Sequence, residues 1–242
     1  GVQSLDDDLL SQLGRRHDSV QAMAAYRMAR AAGFGNVSID LMYGLPSQTL
    51  DQWVTTLDQA TEFEPVHMSM YCLTLEPGTP MEQWVKKGVL KEPDPDVAAD
   101  MYLAAEEKMD ALDYRHYEIS NWAKQRFESR HNLAYWRNQP YLGVGPGAHS
   151  YLNGMRFANI RSPKEYVRLL GLEQTTGTVN ELDETLIRTQ PILDTLEVIE
   201  PHLEMAETMM MGMRLDTGVS EEEFVKRFGI TIEEAYGAEI FE

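Results

Sequence analysis

Residues 36–63 read NVSIDLMYGLPSQTLDQWVTTLDQATEF, which has the pattern of a β-strand joined by a short loop to a helix. Branched and polar residues alternate through VSID, and this period of two is typical of a strand. Thr49 and Gln52 have the spacing of a capping box, in which each side chain bonds the backbone N–H of the other residue. A helix is therefore predicted to begin just after Thr49.

The segments on either side continue this alternation. Residues 18–35 are rich in strong helix formers and end near Gly33, where a left-handed C-cap is needed. A strand is predicted in HMSMYCLTLEPG at residues 67–78, a helix at residues 96–113, and a further strand in the aromatic stretch RHYEISNWA at residues 115–123. Strands and helices that alternate with short links predict parallel βαβ units, so we expect an α/β fold.

The pattern changes after about residue 123. The stretch to residue 159 is rich in Arg, Asn, Gly and aromatic residues and shows no long helix. Beyond it, caps and helical periodicity predict a series of helices, at residues 162–171, 181–197 and 204–215. The methionine run in the last of these is expected in the helix core, because Met fills irregular gaps. We therefore expect two domains, an α/β part over residues 1–160 and a helical part over residues 161–242.

The composition is that of an acidic globular protein. Its 242 residues include 21 Lys and Arg against 39 Asp and Glu, which gives a formal net charge of −18. Such a chain repels phosphate backbones and anionic lipid, which argues against nucleic-acid or membrane-surface binding. No apolar run approaches the ~18 residues of a membrane span and no signal peptide is recognisable, so we expect a cytoplasmic protein. The chain starts at Gly1 and ends without a helix stop signal, so we expect a fragment open at both ends.

Polar residues fall at the carboxyl ends of the predicted strands, where parallel β/α folds place their sites. Gln3, Asp40 and Thr74 lie there, and Arg15 could reach the same rim. Asp40 is a carboxylate inside an apolar strand, which is costly unless it is paired or bound to a ligand. The alternatives are a buried structural aspartate for Asp40 and a solvated helix-end cation for Arg15.

Two of the histidines lie in the unusual central stretch. In HNLAYW, His131 and Tyr135 are four residues apart and share a face if the segment is helical, and Trp136 is expected to add an apolar wall. A histidine backed by aromatic rings suits an axial ligand of a flat apolar cofactor such as heme, although a structural histidine is the alternative. His149 follows LGVGPGA, whose glycines allow close backbone approach to a ligand.

These segments form an ordered series: GVQS, LGRRH, SIDLMYGLPSQT, LEPGTP, YEISNWA, HNLAYW and YLGVGPGAHS. The series resembles the radical S-adenosylmethionine family of oxygen-independent coproporphyrinogen III oxidases and their relatives, and within it the heme-chaperone branch. The resemblance implies the second half of a partial (β/α)₆ radical-SAM barrel followed by a mainly helical C-terminal domain. It also implies S-adenosylmethionine, a [4Fe-4S] cluster and heme as cofactors.

The cluster of this family is held by cysteines spaced C-x₃-C-x₂-C near the start of the barrel, a segment that this sequence lacks. Cys72, on a later strand, is the only cysteine, which excludes an internal disulfide and a cysteine-built metal or iron–sulfur site within this chain. The resemblance therefore implies cluster ligands upstream of Gly1. We expect this chain alone to be inactive.

The resemblance also implies roles for particular residues. Gln3, Arg15 and Asp40 match positions that contact S-adenosylmethionine, with Arg15 pairing with its carboxylate. Thr74 and His149 match further contact positions, at which the oxidase has apolar residues. His131 matches the histidine of the chaperone branch that is taken to bind heme. No catalytic residue is implied within this chain.

The function implied is that of a heme-binding chaperone that delivers heme to respiratory enzymes. The alternative is a true oxygen-independent coproporphyrinogen III oxidase, which decarboxylates propionate side chains in porphyrin biosynthesis. A third alternative is a β/α barrel of unrelated function, such as a phosphate-binding lyase. The sequence does not show the basic phosphate pocket that such an enzyme needs. The partners implied are heme or a porphyrinogen, together with heme-accepting respiratory proteins.

Overall fold

The computed structural model describes residues 1–172 and 191–240 of the chain. It divides into two compact units, Gly1–Ser129 and Arg130–Glu242. The domain boundary predicted near residue 160 falls inside the second unit, and the division into domains of residues 1–160 and 161–242 stays a prediction. Within the described ranges no helix is long and apolar enough to cross a membrane.

The first unit alternates helices and strands as predicted. Its described elements are α1 (Asp7–Gln12), α2 (Ser19–Ala31), β1 (Ser38–Tyr43), α3 (Leu50–Thr61), β2 (His67–Cys72), α4 (Pro80–Lys86), α5 (Pro95–Ala111), β3 (Arg115–Glu118) and β4 (Asn121–Ala123). The capping box at the start of α3 is present in both directions, and Gly33 after α2 has a φ of 93°. Helix α4 was not predicted, although Thr79 caps it and Pro80 occupies its first turn.

The sheet of this unit has the order β1-β2-β4-β3. Strands β1 and β2 are parallel, with Ser38 beside His67 and Tyr43 beside Cys72. The strand character predicted for RHYEISNWA is present, but the segment forms two strands rather than one: β3 and β4 are an antiparallel hairpin, with β4 antiparallel to β2. At the connection the Ser120 N–H donates to the Glu118 carboxylate, and the pairing of β4 with β2 holds the reversed chain in the sheet.

One face of this sheet carries the core of the unit. Ile39, Leu41 and Tyr43 of β1 pack with Met68 and Met70 of β2 against the helices, and all five side chains are buried. The alternate residues of both strands face the other way, which leaves the opposite face for polar side chains. The period of two seen in the sequence therefore separates the core from the candidate site.

The second unit combines helices with a small antiparallel sheet of order β5-β6-β7. Its described elements are α6 (Arg130–Trp136), β5 (His149–Leu152), β6 (Met155–Asn159), α7 (Pro163–Leu172), β7 (Leu193–Val198), α8 (Pro201–Gly212), α9 (Glu221–Phe228) and α10 (Ile232–Ile240). The predicted helices at residues 162–171 and 204–215 correspond to α7 and α8.

Two predictions for this unit are wrong. The helix predicted over residues 181–197 fails at its end, because Leu193–Val198 is strand β7 paired with β6; Pro191 cannot donate a helical hydrogen bond, and the edge of β6 offers a partner. Residues 181–190 of that predicted helix lie outside the described part. The methionine run is not wholly core either, since Met210 is 64% exposed while Thr208 and Gly212 take the buried face of α8.

Candidate functional site

Gln3 and Asp40 lie together at the edge of the sheet in the first unit. The Gln3 N–H donates to the Asp40 carbonyl oxygen at 2.7 Å, and the Met42 N–H donates to the Gln3 carbonyl oxygen at 2.7 Å. A methyl group added at Gly1 would lie 1.8 Å from Gln3 Nε2 and 3.3 Å from Asp40 Cβ. The absence of a side chain at Gly1 thus leaves room for both side chains, and the structure brings these two predicted site residues together.

A row of polar residues crosses the face of the sheet on which Asp40 lies. Asp40 on β1 is beside Ser69 on β2, and Ser69 is opposite Asn121 on β4. Neighbouring residues in register point to one face of a sheet. Asn121 donates to the buried Glu118 carboxylate, but its own Oδ1 is buried without a hydrogen-bond partner in the described structure. The row therefore places polar side chains beside Asp40 on this face of the sheet.

His67 lies on the same face of the sheet, two residues before Ser69 on β2. Ser38 Oγ lies 2.8 Å from His67 Nδ1, and Tyr117 Oη lies 2.8 Å from Nε2. The Ser129 N–H donates to the same Tyr117 hydroxyl at 3.2 Å. Burial lowers the pKa of His67, which favours the neutral ring. With both ring nitrogens occupied inside the protein, His67 is a structural residue.

Arg15 and Thr74 both lie exposed, Arg15 after α1 and Thr74 two residues beyond β2. Among the described residues, neither side chain forms a hydrogen bond or an ion pair with Gln3 or Asp40. His17 Nε2 lies 3.2 Å from the Val2 carbonyl oxygen and so ties the segment after α1 to the strand that carries Gln3. The Arg15 guanidinium is therefore accessible to a ligand.

His149 belongs to the second unit, where it is exposed at the start of β5 and pairs with Ala158. The other four residues predicted to contact S-adenosylmethionine all lie in the first unit. The assignment of His149 to the same site stays a prediction.

The helical face predicted for HNLAYW is present in α6. The rings of His131 and Tyr135 meet edge to face at 4.8 Å between centroids, and Tyr135 meets Tyr141 in the same way at 4.6 Å. His131 and Tyr135 are exposed, and Tyr141 is half-buried. We call these three side chains the aromatic row.

Tyr141 is held by a second contact. Its backbone N–H donates to the Tyr151 carbonyl oxygen at 2.8 Å and its carbonyl oxygen accepts from the Tyr151 N–H at 2.9 Å. The sheet strand β5 thereby anchors the far end of the aromatic row. Tyr141 was not predicted, because the contact joins a helix to a loop and has no local signal in the sequence.

Trp136 was predicted to lie beside His131, but the structure places it elsewhere. Its ring is covered by the Arg214 guanidinium at 4.8 Å, and it lines a cavity of about 210 Å³ with residues of α8 and α9. The reason is helical geometry, since residues five apart lie on different faces of a helix. Tyr141 supplies the wall that was expected from Trp136.

A larger cavity of about 520 Å³ lies in the same unit. Arg227 holds one wall together by donating to the Asn138 carbonyl oxygen at 2.6 Å, to the Tyr151 hydroxyl at 2.9 Å and to the Glu204 carboxylate at 3.0 Å. The Tyr151 hydroxyl in turn donates to Glu204 at 2.5 Å. Burial, followed by the bond to Glu204, raises the pKa of Tyr151 to about 12, so its hydroxyl stays protonated.

The described residues do not fit a cluster site. Across residues 1–172 and 191–240 no three His, Cys, Asp or Glu side chains are grouped so as to hold a metal ion. The single cysteine, Cys72, is exposed at the end of β2. A [4Fe-4S] cluster bound by three cysteines cannot be built from this donor set.

Comparisons with known proteins show what this chain is similar to. The family model of the HemN C-terminal domain matches residues 199–241. The heme chaperone HemW of Bacillus subtilis is 36% identical over 233 residues, which are 96% of this chain and 57% of that protein. The mouse radical S-adenosyl methionine domain-containing protein 1, mitochondrial, is 37% identical over 227 residues, 92% of this chain and 48% of that protein. Most of the chain is thus similar to the heme chaperone HemW, and its C-terminal segment is similar to the HemN C-terminal domain.

A solved structure supports the fold of this chain. Coproporphyrinogen III oxidase (HemN) from Escherichia coli, a radical SAM enzyme, superposes with a TM-score of 0.74 at 16% sequence identity, over 99% of this chain and 54% of the oxidase. The predicted fold class, the second half of a radical-SAM barrel followed by a mainly helical C-terminal part, is confirmed. The chain spans about half the length of the relatives it matches.

Proposed function

We propose that this chain is the heme-binding part of a heme chaperone of the radical S-adenosylmethionine superfamily. The observation that carries the proposal is the aromatic row, in which an exposed His131 stands against Tyr135 and Tyr141. The curated relatives at 36% identity that are named heme chaperone HemW support this reading. The partners proposed are heme and the respiratory proteins that accept it, and the compartment proposed is the cytoplasm.

The chemistry of the aromatic row suits the binding of heme. A neutral imidazole is a good iron ligand, and His131 is exposed on the surface of α6. Edge-to-face contact with Tyr135 fixes the orientation of the imidazole, and the anchored Tyr141 fixes Tyr135 in turn. The porphyrin plane can then cover apolar ring surface while its iron takes the free nitrogen of His131.

We also propose that S-adenosylmethionine binds on the polar face of the first unit. Gln3 and Asp40 would take its polar groups and Arg15 its carboxylate, with Thr74 at the rim. The contact between Gln3 and Asp40 and the accessible Arg15 support the fit. When bound with a [4Fe-4S] cluster, this cofactor supplies radical chemistry; the residues of this chain do not fit the cluster.

A coproporphyrinogen III oxidase is the less supported reading. The oxidase of known structure is 16% identical to this chain, so its similarity supports the fold alone. The relatives above 30% identity include several that are named heme chaperones.

Replacing His131 tests the heme proposal. We expect His131→Ala to lower heme affinity and alter the Soret band, because the iron loses its protein ligand, while the far-UV circular dichroism stays unchanged. The measurement is an absorbance titration of the chain with ferric heme. His149→Ala is the matched control, since it removes another exposed histidine of the same unit and should leave the spectrum as it is. An unchanged spectrum and affinity in His131→Ala would make His131 a structural residue.

Replacing Arg15 tests the S-adenosylmethionine proposal. We expect Arg15→Ala in the full-length protein to weaken S-adenosylmethionine binding about tenfold to a hundredfold, the usual worth of a hydrogen bond to a charged group. Folding should be unaffected because Arg15 is exposed. Calorimetric titration gives the affinity, with the neighbouring exposed Arg16→Ala as control. Equal affinities for the two variants would remove Arg15 from the site.

A further inference from the structure

Heme and this chain carry net charges of the same sign. If the chain binds heme as proposed above, it must accommodate the charge of that ligand. The chain carries a formal net charge of −18, and heme carries two propionate carboxylates, so the two repel each other at long range. Binding therefore needs a local group of cations close to the point where the iron is held.

The 520 Å³ cavity lies next to the aromatic row. His131 contacts Tyr135, Tyr135 contacts Tyr141, and Tyr141 pairs through its backbone with Tyr151, which lines the cavity. Pro140, the residue before Tyr141, lines it as well. Side chains directly opposite in an antiparallel pair point to one face, so Tyr141 and Tyr151 share a side. The end of the aromatic row distant from His131 thus borders the cavity.

The cavity is lined by three cations, Arg137, Lys226 and Arg227. Arg227 is already paired with Glu204. Arg137 and Lys226 are exposed, and within the part of the chain that the structure describes neither side chain has an ion pair or a hydrogen bond. Glu223 is the other carboxylate of the lining, so the cations outnumber the acids in an otherwise acidic protein.

We propose that this cavity is a carboxylate-binding site for the porphyrin propionates, with Arg137 and Lys226 as the residues that receive them. Arginine suits the role because its planar fork matches a carboxylate, and lysine adds a mobile point charge. The Tyr151 hydroxyl and the Arg227 guanidinium hold the wall of the cavity in place. His131 in the aromatic row then fixes the position of the iron. The cavity fixes the orientation of the porphyrin, because it determines which edge points toward α9.

The test removes charge from either the protein or the ligand. The chain is titrated with ferric heme and with heme dimethyl ester, which lacks the free carboxylates, at the same low detergent concentration. We expect the unsubstituted chain to bind heme about tenfold more tightly than the ester. Arg137→Gln/Lys226→Gln should weaken heme binding about tenfold, leave ester binding unchanged and keep the Soret band of the unsubstituted chain.

The control is Arg161→Gln/Lys164→Gln, which removes the same charge from exposed residues of the same unit that do not line the cavity. Equal losses in the two double variants, or equal affinities for heme and its ester, would overturn the proposal. Iron-free protoporphyrin IX separates this site from the function on which it rests, because it has the propionates but cannot bind His131. Weaker protoporphyrin binding in Arg137→Gln/Lys226→Gln supports the site even if His131→Ala leaves the heme spectrum unchanged; undiminished protoporphyrin binding contradicts it.

Discussion

Trp53→Ala is expected to lower the free energy of unfolding of the first unit by about 3–5 kcal/mol, the usual cost of truncating a buried tryptophan. Trp53 is 0% exposed and its ring lies 5.4 Å from that of Tyr43 on β1. Its indole N–H donates to the Met101 carbonyl oxygen on α5 at 2.7 Å. The substitution therefore opens a cavity between three elements and removes a buried hydrogen bond at the same time.

Urea denaturation followed by far-UV circular dichroism gives this energy. Trp84→Ala is the matched control, because Trp84 lies in the same unit on α4 and is 44% exposed. A loss for Trp53→Ala no larger than that for Trp84→Ala would contradict the packing described for α3.

Gly143→Ala is expected to destabilise the second unit by about 3 kcal/mol, at the upper end of the usual cost of overpacking. A methyl group at Gly143 would lie 2.1 Å from the His149 carbonyl oxygen and 2.9 Å from its carbonyl carbon. Because the clash is with backbone, rotation of a side chain cannot relieve it. The loop must move, and the bond from the Gly143 N–H to Ser150 Oγ at 2.9 Å is expected to break.

Gly171→Ala serves as its control. Gly171 lies in α7 of the same unit and has no other atom within 4 Å of an added methyl group, so alanine should be neutral or slightly stabilising there. If thermal unfolding shows the same midpoint for Gly143→Ala and Gly171→Ala, the close approach of this loop to β5 is not present in solution.

Local signals in the sequence were sufficient for most of the first unit. The capping box of Thr49 and Gln52 marks the start of α3, and the alternation through VSID separates buried Ile39 from polar Asp40. These features depend on neighbours within four residues, which is the range over which a sequence can be read directly.

The errors arose where distant partners decide the structure. RHYEISNWA has the composition of one strand, but its pairing with β2 and its reversal at Ser120 depend on the sheet. Leu193–Val198 follows a helical pattern and becomes a strand because β6 lies beside it. Met210 is exposed because α8 buries only the face that contains Thr208 and Gly212.

The candidate sites divide in the same way. The pair of His131 and Tyr135 follows from a spacing of four within one helix. Tyr141 and the row from Asp40 through Ser69 to Asn121 depend on contacts between elements and on strand register, which no single segment reveals. The resemblance to a family supplied the choice of residues, and the structure supplied their neighbours.

Pulsed electron paramagnetic resonance of the ferric heme complex shows whether His131 ligates the heme iron. The chain contains six histidines, so it is prepared with ¹⁴N- or ¹⁵N-labelled histidine and the hyperfine coupling to iron is compared. We expect a histidine-nitrogen coupling in the unsubstituted chain that persists in His149→Ala and disappears in His131→Ala; ligation by His131 requires this pattern. A coupling that survives in His131→Ala, or one that is absent from the unsubstituted chain, would contradict it.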